Sequence, residues 1–157
     1  MNSKFLILLF CSLLFSTSCQ NQEKNISKSN STKISEKIPM KLGENYFIKN
    51  TFQNKELVTK KISTQKEFDE IFGMATVMGK NGKPTKIDFT KEYVLAIINP
   101  TTDTETKIES INLEKKNNQL NFHYKITIGN KITYQYQPFL IEIVENKENL
   151  EVKFIKE

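Results

Sequence analysis

The chain has few of the side chains that build metal sites. It contains one histidine, His123, and two cysteines, Cys11 and Cys19. Cys11 lies inside an apolar N-terminal run that we expect to be removed, which leaves the mature chain a single cysteine. Zinc needs several Cys or His ligands. The sequence therefore excludes a zinc site of that kind.

Signatures of catalytic and cofactor sites are also scarce. No serine stands in the Gly-x-Ser-x-Gly pattern of a nucleophile elbow, and residues 73–80 carry one residue too many between the glycines for a phosphate loop. Asp103 and Glu105 lack the Gly-centred spacing of a calcium loop. His123 falls on the polar side of a predicted strand, where an exposed surface histidine is the simpler interpretation. We expect no cofactor, and Ser110 acting with His123 stays open as a hydrolase alternative.

Arginine is absent. All 23 basic residues are lysine, and the net charge is +5. Proteins that read nucleic acid use Arg for forked contacts to phosphate and guanine. The lysines are spread along the whole chain, which indicates a solvated surface. We therefore predict no nucleic-acid partner.

The longest apolar run, residues 5–15, is too short to span a bilayer, since a spanning helix needs about 20 residues. It follows Lys4, and Ser16, Thr17 and Ser18 lead from it into Cys19. A positive start, a short apolar stretch and small residues before a cleavage point are typical of an export signal. We predict a signal peptide over residues 1–18.

Residues 1–19 resemble the N-terminus of bacterial lipoproteins, where a short apolar and small-residue box precedes a Cys. The resemblance implies that Cys19 is acylated, becomes the first mature residue and anchors the protein to a membrane leaflet, with the outer membrane as the expected location. The chain departs from the family at Ser16, where Leu is usual, and Ser16 with Ser18 also suits ordinary signal cleavage. Lipidation accounts for a lone Cys in an oxidising compartment.

After the signal, the composition divides the chain in two. Residues 19–40 are predicted to be the lipidated Cys and a flexible polar tether, because Ile26, Ile34 and Ile38 are their only branched aliphatics. So little apolar surface does not offset the entropy of ordering the segment. Residues 41–157 are predicted to form a single folded domain.

The clearest helix signal in that domain begins at Thr64. Thr64 and Glu67 form a capping box, and Phe68, Ile71 and Phe72 recur at helical spacing. The pattern predicts a helix that ends near Ala75 and packs these three side chains on the sheet. Before it, residues 46–52 and 56–62 predict a hairpin.

Strand patterns fill the C-terminal half. Residues 93–98 are a continuous apolar run, as in a central strand covered on both faces. Residues 120–128 alternate with a period of two, and turns are predicted at residues 117–118 and 129–130. Side chains two residues apart lie on the same face of a strand, so alternation predicts that Tyr134 and Tyr136 share the core face with Phe122 and Tyr124. The alternative is that these rings form an aromatic patch that contacts a partner.

Together these patterns predict an α+β domain. It would contain mainly antiparallel sheet, arranged as a meander of about five strands, with one packed helix. The alternative is a β-sandwich in which the helix caps one end.

The order of these patterns resembles the C-terminal domain of protease-complex accessory lipoproteins over roughly residues 57–155. The resemblance rests on residues 64–72, 87–89, 93–97 and 138–141, and it implies a noncatalytic module that supports a surface protease. The chain departs from the family after the central strand, where a polar segment replaces a Gly-Gly-Tyr-like one. Because loops carry partner contacts, that segment is the candidate partner-contact loop: Thr101, Thr102, Asp103, Thr104 and Glu105.

These observations predict a membrane-anchored exported lipoprotein. Its domain would act as a noncatalytic binding or accessory module for another envelope or extracellular protein. The alternatives are a small envelope hydrolase and a small-ligand-binding protein, the latter with a cavity between sheet and helix.

Overall fold

The computed structural model describes residues 35–76 and 82–157, which are mostly strand with a single short helix. The predicted signal peptide and Cys19 lie outside these ranges. The elements in chain order are β1 (Glu36–Lys37), β2 (Lys41–Leu42), β3 (Tyr46–Ile48), β4 (Val58–Ile62), α1 (Gln65–Ile71), β5 (Phe72–Met74), β6 (Glu92–Ile98), β7 (Thr102–Lys116), β8 (Gln119–Tyr136), β9 (Phe139–Glu145) and β10 (Val152–Lys156).

The strands form two four-stranded sheets and one small pair. Sheet A has the order β1-β7-β8-β10, sheet B has the order β2-β9-β6-β4, and β3 pairs with β5. Pairing is antiparallel except between β8 and β10, which run parallel. The arrangement is sandwich-like and agrees with the alternative drawn from the sequence. The meander is wrong, because β6 pairs with β4 and β9 and not with β7.

Sheet B is the central layer, with apolar side chains on both of its faces. Along β6, Tyr93, Leu95 and Ile97 join the core shared with sheet A. The alternate residues Val94, Ala96 and Ile98 join a second core with the helix. This confirms the prediction of a central strand, and it explains why residues 93–98 are all apolar.

The helix begins at the predicted cap and ends early. The amide of Glu67 donates to Thr64 Oγ1 at 3.2 Å, and the Glu67 carboxylate accepts from the amide of Ser63 at 3.2 Å. This second hydrogen bond is the main cause of a lowered pKa of Glu67. Phe72 is extended and opens β5, so the predicted helix end near Ala75 is wrong. Phe68, Ile71 and Phe72 are buried as predicted.

The reason for the early end is a pairing that the sequence pattern did not indicate. β5 pairs with β3, Phe47 opposite Gly73, so the predicted hairpin of residues 46–52 with 56–62 is wrong. The ring of Phe47 lies over Gly73, where an added Cβ would stand 2.4 Å from Phe47 Cζ. Glycine therefore makes room for this contact.

One of the two predicted turns is present. Asn117 and Asn118 have φ of 54° and 61°, the pair of positive values that a type I′ hairpin turn requires, and they join β7 to β8. Gly129 and Asn130 lie inside β8 instead of turning the chain. Register irregularities in the β7–β8 pairing absorb the extra residues of β8, as β-bulges do.

Ordered structure begins before the predicted domain boundary at residue 41. β1 pairs with β7, and the amide of Ile38 donates to the carbonyl of Leu113 at 2.8 Å. Ile38 and Met40 pack against the core between the sheets. Residues 36–40, which the composition assigned to the tether, therefore belong to the folded domain.

Candidate functional site: an exposed arm and the groove at its base

Ser110 and His123, the pair named by the hydrolase alternative, lie on opposite faces of sheet A. Ser110 points into the space between the sheets and donates a hydrogen bond to the Glu142 carboxylate of β9. On β8, Phe122 and Tyr124 face the inter-sheet core, so His123 between them faces outward. The structure does not bring the serine and the histidine together.

Glu142 was not singled out in the sequence. Its side chain is 5% exposed, opposite Leu95 in the register of β6 and β9. Burial raises the pKa of Glu142, and the hydrogen bond from Ser110 acts in the opposite direction. The available signal was a carboxylate inside the apolar run of residues 139–144, because acidic residues are seldom buried without a partner.

His123 lies on the polar face of sheet A, as predicted, but carboxylates largely cover it. Nδ1 is 2.5 Å from Glu157 Oε1, and Nε2 is 3.7 Å from Glu114 Oε1. The side chain is 19% exposed. The prediction of an exposed surface histidine is therefore wrong in degree, since the side chain is half-buried and lies between Glu157 and Glu114.

The predicted partner-contact loop is mostly strand. Thr102, Asp103, Thr104 and Glu105 form the start of β7, and only Thr101 precedes it. Thr102 pairs with Tyr136, Thr104 with Lys131 and Thr106 with Ile128. We refer to residues 102–107 of β7 and residues 127–136 of β8 as the β7–β8 arm. The alternation of polar and apolar residues is too weak in this segment to indicate a strand.

Among the described strands, the β7–β8 arm pairs only with itself. β1 joins β7 at residues 114–115, and β10 joins β8 at residues 120–124. The arm exposes 71% of Ile128 and 64% of Tyr134, and the Tyr134 and Tyr136 ring centroids lie 6.0 Å apart. The predicted core position of Tyr134 is therefore wrong, while Phe122 and Tyr124 are buried as predicted.

Polar contacts link the two strands of the arm. The Tyr136 hydroxyl accepts from the amide of Thr106 at 2.7 Å and donates to its carbonyl at 3.2 Å. Lys131 Nζ lies 3.0 Å from Asp103 Oδ2. Charged residues and register irregularities along β7 also disfavour pairing between this exposed strand edge and a strand of another molecule.

A groove of about 850 Å³ lies at the base of the arm. One wall comes from residues 47–55, and the other comes from Thr101 and residues 135–139. The walls carry four aromatic rings and two lysines, Lys49 and Lys55. They also carry five side-chain amides: Asn50, Gln53, Asn54, Gln135 and Gln137.

Neither a metal cluster nor a membrane-spanning helix occurs in residues 35–76 and 82–157. No group of three or more His, Cys, Asp and Glu side chains is placed there to hold a metal ion. The helix in these ranges is too short and too polar to span a membrane. Asp103, considered as a calcium ligand, pairs with Lys131.

The two resemblances seen in the sequence, to bacterial lipoproteins and to the accessory-lipoprotein domain, stay predictions. Comparisons of the chain with models of protein families, with curated proteins and with solved structures find no match.

Proposed function

We propose that this protein is an exported lipoprotein whose domain is a noncatalytic binding or accessory module for another envelope or extracellular protein. Acylated Cys19 would attach it to a membrane leaflet, in the outer membrane, and the domain would reach its partner through the β7–β8 arm. The observation that carries the proposal is the exposure of Ile128 and Tyr134 on an arm that pairs only with itself.

The arm has the physical properties of a contact surface. Interfaces are enriched in aromatic residues, and Tyr offers a large contact area at a small loss of side-chain entropy. The hydrogen bonds between Tyr136 and Thr106 hold the arm before a partner arrives. Such preorganisation reduces the entropy lost on binding.

For the fold class we infer a β-sandwich extended by one further layer. The helix and the β3–β5 pair cover the outer face of sheet B, and the Phe68 and Phe72 rings, with centroids 4.9 Å apart, fill part of the space between helix and sheet. The domain therefore differs from an α+β domain built on a single sheet.

Site-specific photo-crosslinking in intact cells tests the partner surface. A benzoylphenylalanine in place of Tyr134 should give a discrete protein adduct, and adding Ile128→Lys should reduce its yield. The control places the same probe at Ile111, which is 49% exposed on β7 but outside the arm. Equal adducts from the two positions, or none from Tyr134, would contradict the role given to the arm.

The anchor has its own test. Mass spectrometry of the membrane-extracted protein should find an acylated N-terminal peptide that begins at Cys19. The Cys19→Ala form should lack the acyl group and leave the membrane fraction. Recovery of the wild type from the medium with a free thiol would overturn the anchor.

A further inference from the structure

The groove at the base of the arm offers hydrogen-bonding groups that the domain itself does not use. The side chains of Asn50, Gln53 and Gln135 are exposed and make no hydrogen bond within the described ranges. By contrast, the Gln137 side chain donates to the side-chain oxygen of Asn54, so these two amides are already hydrogen-bonded to each other. A free amide can donate and accept at the same time, which suits a ligand whose neighbouring groups do both, such as the hydroxyls of a sugar.

Aromatic rings line the same groove. The groove is lined by Phe47, Phe52, Tyr136 and Phe139, and Phe47 is 46% exposed. The Phe47 ring lies over Gly73, and the Tyr136 hydroxyl is hydrogen-bonded to Thr106. Rings beside free amides suit a ligand with an apolar face and a polar rim, as a pyranose has.

The charge of the groove has one sign. Lys49 and Lys55 line it, and no acidic residue does so among the described residues. Lys49 Nζ donates to the carbonyl of Asp69, and an ammonium group has three donors. Lys55 is exposed and has no ion-pair partner in the described part of the chain. Both lysines can therefore meet a negative group on the ligand.

A peptide fits these walls less well than a sugar. An extended peptide bound by strand addition uses the unpaired main-chain groups of a sheet edge. The groove wall at residues 49–55 lies outside any strand, so it offers no sheet edge to an extended peptide. The groove presents side-chain amides and rings instead, and about 850 Å³ is within the usual size of a ligand site.

We propose that the groove binds an oligosaccharide that carries carboxylate groups. The free amides would contact the hydroxyls, the rings would contact the sugar faces, and Lys55 would pair with a carboxylate. This activity goes beyond the proposed protein contact. The groove shares Gln135 and Tyr136 with the arm, but Asn50, Gln53 and Lys55 lie outside the arm, whose partner surface is centred on Ile128 and Tyr134.

The test is a titration of the mature full-length protein in detergent micelles with tetragalacturonate. NMR should show shifts of the side-chain amide signals of Asn50, Gln53 and Gln135, and calorimetry should give the affinity. Maltotetraose, which is neutral, should bind more weakly. Tetraglutamate provides the same charge on a peptide.

Variants make the assignment specific. Lys55→Gln and Gln53→Ala should each weaken tetragalacturonate binding about fivefold, the effect of losing one exposed charge pair or one hydrogen bond. Lys153→Gln, at an exposed position of β10, should leave it unchanged. No binding up to about 10 mM, or equal binding of tetraglutamate, would overturn the proposal. Either result would leave the crosslinking test of the arm unaffected.

Discussion

Replacing Glu142 with Gln tests how the two sheets are held together. Glu142 is the buried charged residue of the described core, 5% exposed, and its carboxylate accepts from Ser110 across the inter-sheet space. Gln has the same shape and can still accept that hydrogen bond, but it cannot ionise. The substitution therefore removes the charge and keeps the contact.

The sign of the effect follows from the raised pKa of Glu142. Because the folded pKa exceeds the unfolded value of about 4.3, the favourable contribution of this group is fully present below the unfolded pKa. It is lost as the pH rises through the folded pKa. Each unit of separation lowers the free energy of unfolding at pH 7 by about 1.4 kcal/mol.

We therefore expect Glu142→Gln to be more stable than the wild type by on the order of 1 kcal/mol at pH 7. Near pH 4 the two proteins should have similar free energies of unfolding. The measurement is urea unfolding followed by far-UV circular dichroism from pH 4 to pH 8. The matched control is Glu145→Gln, at the exposed end of the same strand, whose ion pair with Lys147 at 3.1 Å is solvated and contributes little.

Two outcomes would refute this reasoning. If Glu142→Gln is less stable than the wild type at pH 7, the ionised carboxylate stabilises the sandwich and its burial does not dominate. A difference that is constant from pH 4 to pH 8 would also refute it, because the effect would then not depend on the ionisation of Glu142.

Four further substitutions test the hydrogen bond to Glu142, the helix cap and the extent of the core by urea unfolding at pH 7. Ser110→Ala should lower the free energy of unfolding by about 1–3 kcal/mol, since it leaves Glu142 buried without its hydroxyl partner; no change would show that water replaces the hydroxyl. Thr64→Ala removes the helix cap and should lower it by about 1 kcal/mol, and a loss below the error of the measurement would contradict the importance of the cap. Phe122→Ala should lower it by about 3–5 kcal/mol, whereas Ile128→Ala, on the same strand but 71% exposed, should change it by less than about 0.5 kcal/mol. Similar losses of unfolding free energy for Phe122→Ala and Ile128→Ala would contradict the conclusion that the core includes Phe122 and ends before Ile128.

Features that depend on neighbouring residues could be predicted from the sequence. The cap at Thr64 is set by a side chain three residues from its partner, and the turn at Asn117 and Asn118 is set by residues that tolerate positive φ. The buried strand β6 was also predictable, because a strand covered on both faces has no polar side to show.

Pairings between distant segments could not be predicted in this way. The helix ends early because β5, which follows it directly, pairs with β3. The last strand, β10, pairs with β8 in parallel. Neither choice leaves a local pattern, since strand partners are selected by the whole core. The predicted core position of Tyr134 is wrong for a related reason. Alternation shows which residues of a strand share a face, but it does not show where the opposite sheet ends.

The same limit applies to the candidate site. Thr101 follows the central strand, which is the basis of its prediction as a contact residue, and it borders the groove. The other wall comes from residues 47–55, far away in sequence, and no motif links the two. The sequence leaves Ser110 open as a nucleophile, but its hydrogen-bond partner is Glu142, on a strand of the other sheet.

The length of β8 connects stability and binding in this domain. Near its start, Phe122 and Tyr124 are buried between the sheets, and near its end Tyr134 is exposed on the arm. A two-stranded ribbon is only marginally stable by itself, so the arm keeps its conformation because both of its strands continue into the packed sandwich. The core thus supplies the rigidity, and the exposed end is free to differ in sequence without loss of the fold. We therefore expect substitutions at Ile128 and Tyr134 to change partner contacts while leaving the free energy of unfolding nearly constant.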